Sequence, residues 1–226
     1  MADLANQTNA PYVCITESHL NPDILDAEIS IPGYNIFISD RIGRSHGGVV
    51  TYVIKDLLVK TVVQDSNSYC VSLALTIPQL NLVIINIYRP PNCPEVMFTR
   101  TLEYLSVFLR NMEEYEQCAY TYLVFGDFNF PFLKFSDNED LSDSIKSCSN
   151  CQGGATCSHT SSDRRQAKAL VDFANEFFLE QYIKKPTRGN NILDLVFTND
   201  HLLIHSYQTI VNSRLSDHFT ICLNLN

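Results

Sequence analysis

The stretch Tyr122-Leu123-Val124-Phe125-Gly126-Asp127-Phe128-Asn129 decides the fold. Four apolar or aromatic residues run into Gly-Asp-Phe-Asn, the pattern of a buried strand that stops at a polar working edge. Asp127 and Asn129 are two positions apart, so at a strand end their side chains can point to one side. A carboxylate placed there can take a proton from water, and the amide can donate to a developing oxyanion. The tetrapeptide alone is also what a plain Gly-Asp turn after a core strand looks like. The other strand ends must decide.

Outward from this stretch the chain reads as many short strands and two helices. Tyr12 to Ile15 is a strand ending in Thr16-Glu17-Ser18. Tyr34 to Ile38 follows the Pro32-Gly33 turn, and Val49 to Ile54 follows a basic, Gly-containing loop from Arg41 to Gly48. Val59 to Val63, Cys70 to Ile77 and Leu82 to Tyr88 predict an antiparallel meander, which Arg89-Pro90-Pro91 ends because proline cannot continue a central ladder. Phe98, Leu102, Leu105, Leu109 and Met112 share one face of a helix over Phe98 to Met112. A second helix is expected over Arg165 to Ile183, and strands over Ile192 to Thr198, Ser206 to Val211 and His218 to Leu225. The segment from about Ser136 to Asp163, rich in Ser, Asp, Asn and Gly, reads as an inserted surface loop. The expectation is an α/β sandwich of two mostly antiparallel sheets with flanking helices.

The 226 residues fit one domain, and 45% hydrophobic with 18% charged residues is ordinary for a globular chain. No apolar run is long enough to cross a bilayer and the N-terminus lacks a signal-peptide layout, so an intracellular protein without a membrane partner is expected. Of the eight cysteines, Cys14, Cys70 and Cys222 sit in apolar strand-like runs, as small core residues. The net charge of −9 argues against gripping nucleic acid by bulk electrostatics, but not against an acidic pocket that holds a cation.

Polar residues collect at the strand ends: Glu17, Tyr88 with Arg89, Asp127 with Asn129, Asp194, and Asp217 with His218. Each alone has an ordinary reading: a solvated carboxylate, a rim aromatic, a turn. Asp194 lies between Leu193 and Leu195, where a buried carboxylate needs a partner, and a His is a natural one.

Taken in order, Thr16-Glu17, Gly47-Gly48-Val49, Ile87-Tyr88-Arg89-Pro90-Pro91, Gly126-Asp127-Phe128-Asn129, Pro186-Thr187-Arg188, Leu193-Asp194-Leu195 and Ser216-Asp217-His218 resemble the endonuclease/exonuclease/phosphatase superfamily. The set is similar above all to the apurinic-endonuclease-like domain of retrotransposons without long terminal repeats. Pro186-Thr187-Arg188-Gly189-Asn190-Asn191-Ile192-Leu193-Asp194 resembles their chicken-repeat type. The resemblance implies a four-layer α/β sandwich and a site using one or two Mg²⁺ or Mn²⁺ ions. It implies that Glu17 and Asp217 bind the metal and that Tyr88 steadies the scissile phosphate. Asp127 would orient or deprotonate the attacking water, Asn129 would support the transition state, and His218, held by Asp194, would donate to the phosphate. Arg89, Thr187 and Arg188 would contact substrate.

Two features depart from the pattern. The resemblance implies an earlier strand carrying an Asn of the metal site, and Asn6 and Asn9 stand too close to Glu17 for a parallel strand with its crossover. The chain therefore reads as lacking its first strand, and as separated from the reverse transcriptase to which such domains are fused. Within the insert, Cys148, Cys151, Cys157 and His159 form a set compatible with zinc, although Cys157 and His159 are closer than usual finger spacing. The function expected is a metal-dependent DNA-nicking endonuclease, nuclear if active, that primes reverse transcription. The alternatives are a phosphatase acting on a small molecule or lipid, and a catalytically dead remnant.

Overall fold

The computed structural model describes residues 9–21, 23–44, 46–67, 69–116, 119–133, 135, 161–211 and 216–226. The proposed zinc residues Cys148, Cys151, Cys157 and His159 lie outside the described residues.

Strands that are mostly apolar take the centre. β5 (Val71–Ile77) and β6 (Leu82–Tyr88) are buried throughout, whereas β4 (Thr61–Ser66) alternates and lies at an edge. These three form the expected antiparallel meander. β7 (Thr121–Asp127) then pairs parallel to β6, which requires a crossover, and the helix α2 (Glu95–Glu116) supplies it. β9 (Asp194–Thr198) and the short β8 (Glu180–Gln181) complete a six-stranded sheet in the order β4-β5-β6-β7-β9-β8.

A second layer holds β1 (Tyr12–Thr16), β2 (Tyr34–Ser39) and β3 (Val49–Ile54) in the order β1-β3-β2. The hairpin β10 (Ile204–Ile210) and β11 (Thr220–Leu225) forms a separate two-stranded sheet. Among the described residues no strand pairs with the outer edge of β1 or β11. A cavity of about 1240 Å³ lies between the two, floored by residues of β6, β7 and β9.

One core joins the large sheet to α2 and α3 (Ser161–Glu176). The periodic residues of α2 are all buried: Phe98, Leu102, Leu105, Leu109 and Met112. Burying each such side chain contributes on the order of 1.5–3 kcal/mol. A smaller cluster of Ile31, Val50 and Tyr52 covers the outer face of β1-β3-β2, beside the single-turn helix α1 (Asp26–Ile29). Asn86, inside the apolar run of β6, ties the layers together: its Nδ2 donates to Ile15 O and Val50 O, each at 3.2 Å.

The expected second helix begins earlier and ends earlier than its periodicity suggests. It starts at Ser161, so Asp163 belongs to its first turn and not to the insert. It ends because Phe178 takes a left-handed conformation (φ 53°) and turns the chain into β8. The described cysteines Cys14, Cys70, Cys93 and Cys222 are free thiols. No helix among the described residues is long and apolar enough to cross a membrane.

Candidate active site

Strand register builds the centre of the site. Tyr88 at the end of β6 stands opposite Asp127 at the end of β7, and Asp127 stands opposite Asp194 at the start of β9. Three side chains distant in sequence thus form one row across the sheet. Gly126 allows it, because a Cβ there would fall 1.9 Å from the Ile87 carbonyl oxygen.

Asp127 is 1% exposed. Its Oδ1 accepts from the Asn129 backbone N–H at 3.1 Å and its Oδ2 from Asn129 Nδ2 at 2.7 Å. Asn129 is left-handed (φ 51°), and the same Nδ2 reaches the Arg89 carbonyl at 3.0 Å. A non-glycine residue in this region is strained, which is common where a site is preorganised. Burial first, and then the charges of Asp194 and Glu17, push the Asp127 carboxyl up to about 8. His218 and the Asn129 backbone bond act in the other direction.

His218 faces the same centre. Its Nδ1 lies 2.8 Å from Asp194 Oδ2. Burial disfavours the charged imidazole, but the hydrogen bond and charge of Asp194, with help from Asp127, raise its pKa overall. Its Nε2 is buried and has no hydrogen-bond partner among the described residues. A donor left in this state points to a ligand oxygen that it would meet. Tyr88 donates its hydroxyl to Glu17 Oε1 at 2.6 Å, and burial with the neighbouring Glu17 holds the phenol well above its ordinary range.

The donor set suits a hard divalent cation. Asp127, Asp194 and His218 each offer a ligand atom within 4.8 Å of the others, and Glu17 lines the same cavity. Beyond burial, the charges of Asp194 and Glu17 add to the cost of ionising Asp127, and a cation bound through oxygen would reverse that. Asp217, which the resemblance assigns to the metal, stands at the cavity rim instead. Its carboxylate is exposed and ion-paired with Arg188.

Two residues expected to touch substrate are turned inward. Arg89 is fully buried, its Nε donating to Gln166 at 2.8 Å, Nη1 to Phe128 O at 3.0 Å, and Nη2 to Asp163 at 2.9 Å. Its guanidinium lies 4.0 Å from the Phe130 ring centre. All three nitrogens of the fork donate, so Arg89 braces the backbone that carries Asp127 and Asn129. Thr187 is likewise buried, and its Oγ1 accepts from the N–H groups of Leu193 (3.0 Å) and Asp194 (3.1 Å). Its carbonyl receives Phe219 N–H at 2.7 Å, so it links the segments bearing Asp194 and His218. Only Arg188 of the three reaches the surface. Asn86, Asp163 and Gln166 were not singled out by sequence. An Asn inside Leu82-Val83-Ile84-Ile85-Asn86-Ile87 is a signal, because a buried amide must find partners. Asp163 and Gln166 carry none, since their partner is 74 and 77 residues away.

The chain has counterparts among known proteins. Residues 82–222, from the start of β6 into β11, match the model of the family described as endonuclease-reverse transcriptase. No curated protein matches the sequence. Among solved structures, the endonuclease domain of TRAS1, a telomere-specific non-LTR retrotransposon, is similar at 16% identity and a TM-score of 0.61, covering 99% of this chain and 90% of that one. An AP endonuclease from Archaeoglobus fulgidus is similar at 12% identity and TM-score 0.61, covering 100% and 93%. A 3′ phosphatase from Neisseria, bound to a product DNA hairpin, is similar at 14% identity and TM-score 0.63, covering 99% and 92%. At these identities the structures establish the fold: mixed sheets flanked by helices, the α/β sandwich of endonuclease/exonuclease/phosphatase proteins. With its strand-end carboxylates, its paired histidine and more than half of its length matched, the chain belongs to the endonuclease-reverse transcriptase family.

Proposed function

We propose that this chain is a divalent-cation-dependent endonuclease that nicks DNA and exposes a 3′-hydroxyl for reverse transcription, an activity of retrotransposon origin. The reading is supported above all by the row Tyr88–Asp127–Asp194 with His218 turned onto it. It accords with the family described as endonuclease-reverse transcriptase and with the fold shared with a retrotransposon endonuclease domain. Its partners would be DNA and a fused reverse transcriptase, and its place of action the nucleus.

In this reading Glu17, with Asp127 or Asp194 nearby, would hold a Mg²⁺ or Mn²⁺ ion, which would supply charge neutralisation at the phosphate and its leaving oxygen. Asp127 accepts a proton from the attacking water. Its raised pKa makes it a competent base near neutral pH once ionised, and Asn129 fixes its orientation through two hydrogen bonds. His218, with Nδ1–H given to Asp194, presents Nε2–H to a phosphoryl oxygen as charge develops there. Tyr88 donates to Glu17 and keeps that carboxylate aimed at the cavity.

The test is nicking of supercoiled plasmid with and without Mg²⁺, for the unaltered chain and for Asp127→Ala and His218→Ala. Metal-dependent relaxation lost in both variants is expected. A folded, monodisperse protein that leaves the plasmid supercoiled would overturn the reading.

A further inference from the structure

A pair of histidines at the rim of this cavity is also held together by the backbone around it. His19 follows β1 and His46 precedes β3, and their Nδ1 atoms are 3.0 Å apart, with ring centres at 5.0 Å and planes inclined by 60°. Both side chains are exposed. The backbone around them is fixed from both sides. His19 N–H donates to Gly47 O at 2.9 Å, Ser18 N–H to Gly48 O at 3.3 Å, and Ser18 Oγ to Gly47 O at 3.2 Å. Arg41 Nη1 donates to His46 O at 2.9 Å. His19 (φ 54°) and Gly47 (φ 103°) both take positive φ, so the close approach depends on backbone conformations that most residues avoid.

We propose that His19 and His46 form a chelating site for a first-row transition-metal cation, at the rim of the cavity and separate from the Asp127, Asp194 and His218 group. Two imidazole nitrogens each roughly 2.1 Å from one ion stand about 3.0 Å apart at a right angle and about 3.4 Å apart at the tetrahedral angle. The observed separation matches the right-angled case. That favours Ni²⁺ or Cu²⁺, with octahedral or square-based geometry and imidazole preference, over Mg²⁺, which seeks oxygen. Without an ion, one Nδ1–H must donate to the other Nδ1. On binding, that proton moves to Nε2, and both lone pairs turn to the metal. No other His, Cys, Asp or Glu joins the pair in a three-ligand group among the described residues, so water completes the shell. The ion would clamp the Arg41–Gly48 loop to the end of β1. That loop carries Arg41, whose guanidinium lies 5.9 Å from the Tyr88 ring centre, so the clamp sits at the rim of the candidate active site.

The test is calorimetric titration with Ni²⁺ in excess Mg²⁺, run in parallel on His218→Ala so that any Ni²⁺ taken by the acidic centre is told apart. A Ni²⁺ binding event is expected that is weakened at least tenfold by His19→Ala and by His46→Ala and unchanged by His205→Ala. As a second readout, Ni²⁺ should slow tryptic cleavage after Arg41 and Arg44 in the unaltered chain and not in the two variants. Both histidines are exposed, so the variants keep the fold, and circular dichroism checks this. Ni²⁺ affinity indifferent to both substitutions, or lost only with His218→Ala, would overturn the proposal.

Discussion

Asn129 donates to both carboxylate oxygens of Asp127, its backbone N–H to Oδ1 at 3.1 Å and its Nδ2 to Oδ2 at 2.7 Å. The left-handed turn at Asn129 makes this possible, because it folds the residue back over the strand end it has just left. One residue therefore orients the carboxylate and favours its ionised form.

Asn129→Ala removes the Nδ2 bond and keeps the backbone one. Nicking should fall by about 100-fold, the usual cost of one preorganised donor. The acid limb of the pH–rate profile should move upward, since Asp127 loses a bond that favours its ionised form. Asn129→Gly relieves the positive φ but loses the same bond. It should melt no lower than Asn129→Ala and be equally slow, and a fast Asn129→Gly variant would refute the role of the side chain.

The raised Asp127 pKa makes a signed prediction about stability. Its folded value is about 8, against roughly 3.9 for an unfolded aspartate. The stability this group contributes is complete below the unfolded pKa and is lost as pH climbs through about 8. Asp127→Asn should therefore raise the Tm relative to the unaltered chain at pH 9, and far less at pH 5. Mg²⁺ should raise the Tm of the unaltered chain at pH 8 and do so less for Asp127→Asn. Scanning calorimetry across pH reads both effects.

Arg89 and Arg188 should separate cleanly. Arg89→Ala removes the buried guanidinium that Asp163 and Gln166 bind and should cost roughly 3–5 kcal/mol of stability. Any folded remainder should keep the salt dependence of DNA binding. Arg188→Ala breaks an exposed ion pair of little energetic worth and should leave the Tm unchanged. If Arg188 meets a phosphate, the slope of log K against log salt should fall by about one. Urea melts and binding titrations at several salt concentrations decide this.

Gly126→Ala places a methyl 1.9 Å from the Ile87 carbonyl oxygen, a backbone atom that cannot swing aside. The β6–β7 pairing must open, at a cost of roughly 3 kcal/mol or more. Because the clash is between strands, activity and stability should fall together. A stable Gly126→Ala protein would contradict the register that sets Tyr88 opposite Asp127.

By itself the sequence determined most of the strands, because apolar runs such as Leu82 to Tyr88 and Tyr122 to Phe125 must be covered on both faces, while the short β8 read as the end of a helix. It also determined the α2 face and the strand-end positions of Glu17, Asp127, Asn129 and Asp194, since a polar residue ending an apolar run marks where a sheet meets solvent. Only the tertiary structure decided what those residues face. Tyr88, Asp127 and Asp194 share a row through pairing between strands separated by a helix and an insert, and register of that kind leaves no local trace. Arg89 and Thr187 read as surface contacts beside prolines and polar loops, yet they are buried because Gln166, Asp163 and the Leu193–Asp194 backbone come to them from far along the chain. Asp217 adjoins His218 in sequence but turns to Arg188, because neighbouring side chains leave a bend in different directions. Sequence fixes which groups are present and their spacing along one strand, while long-range packing fixes direction, and the chemistry of the site depends on direction.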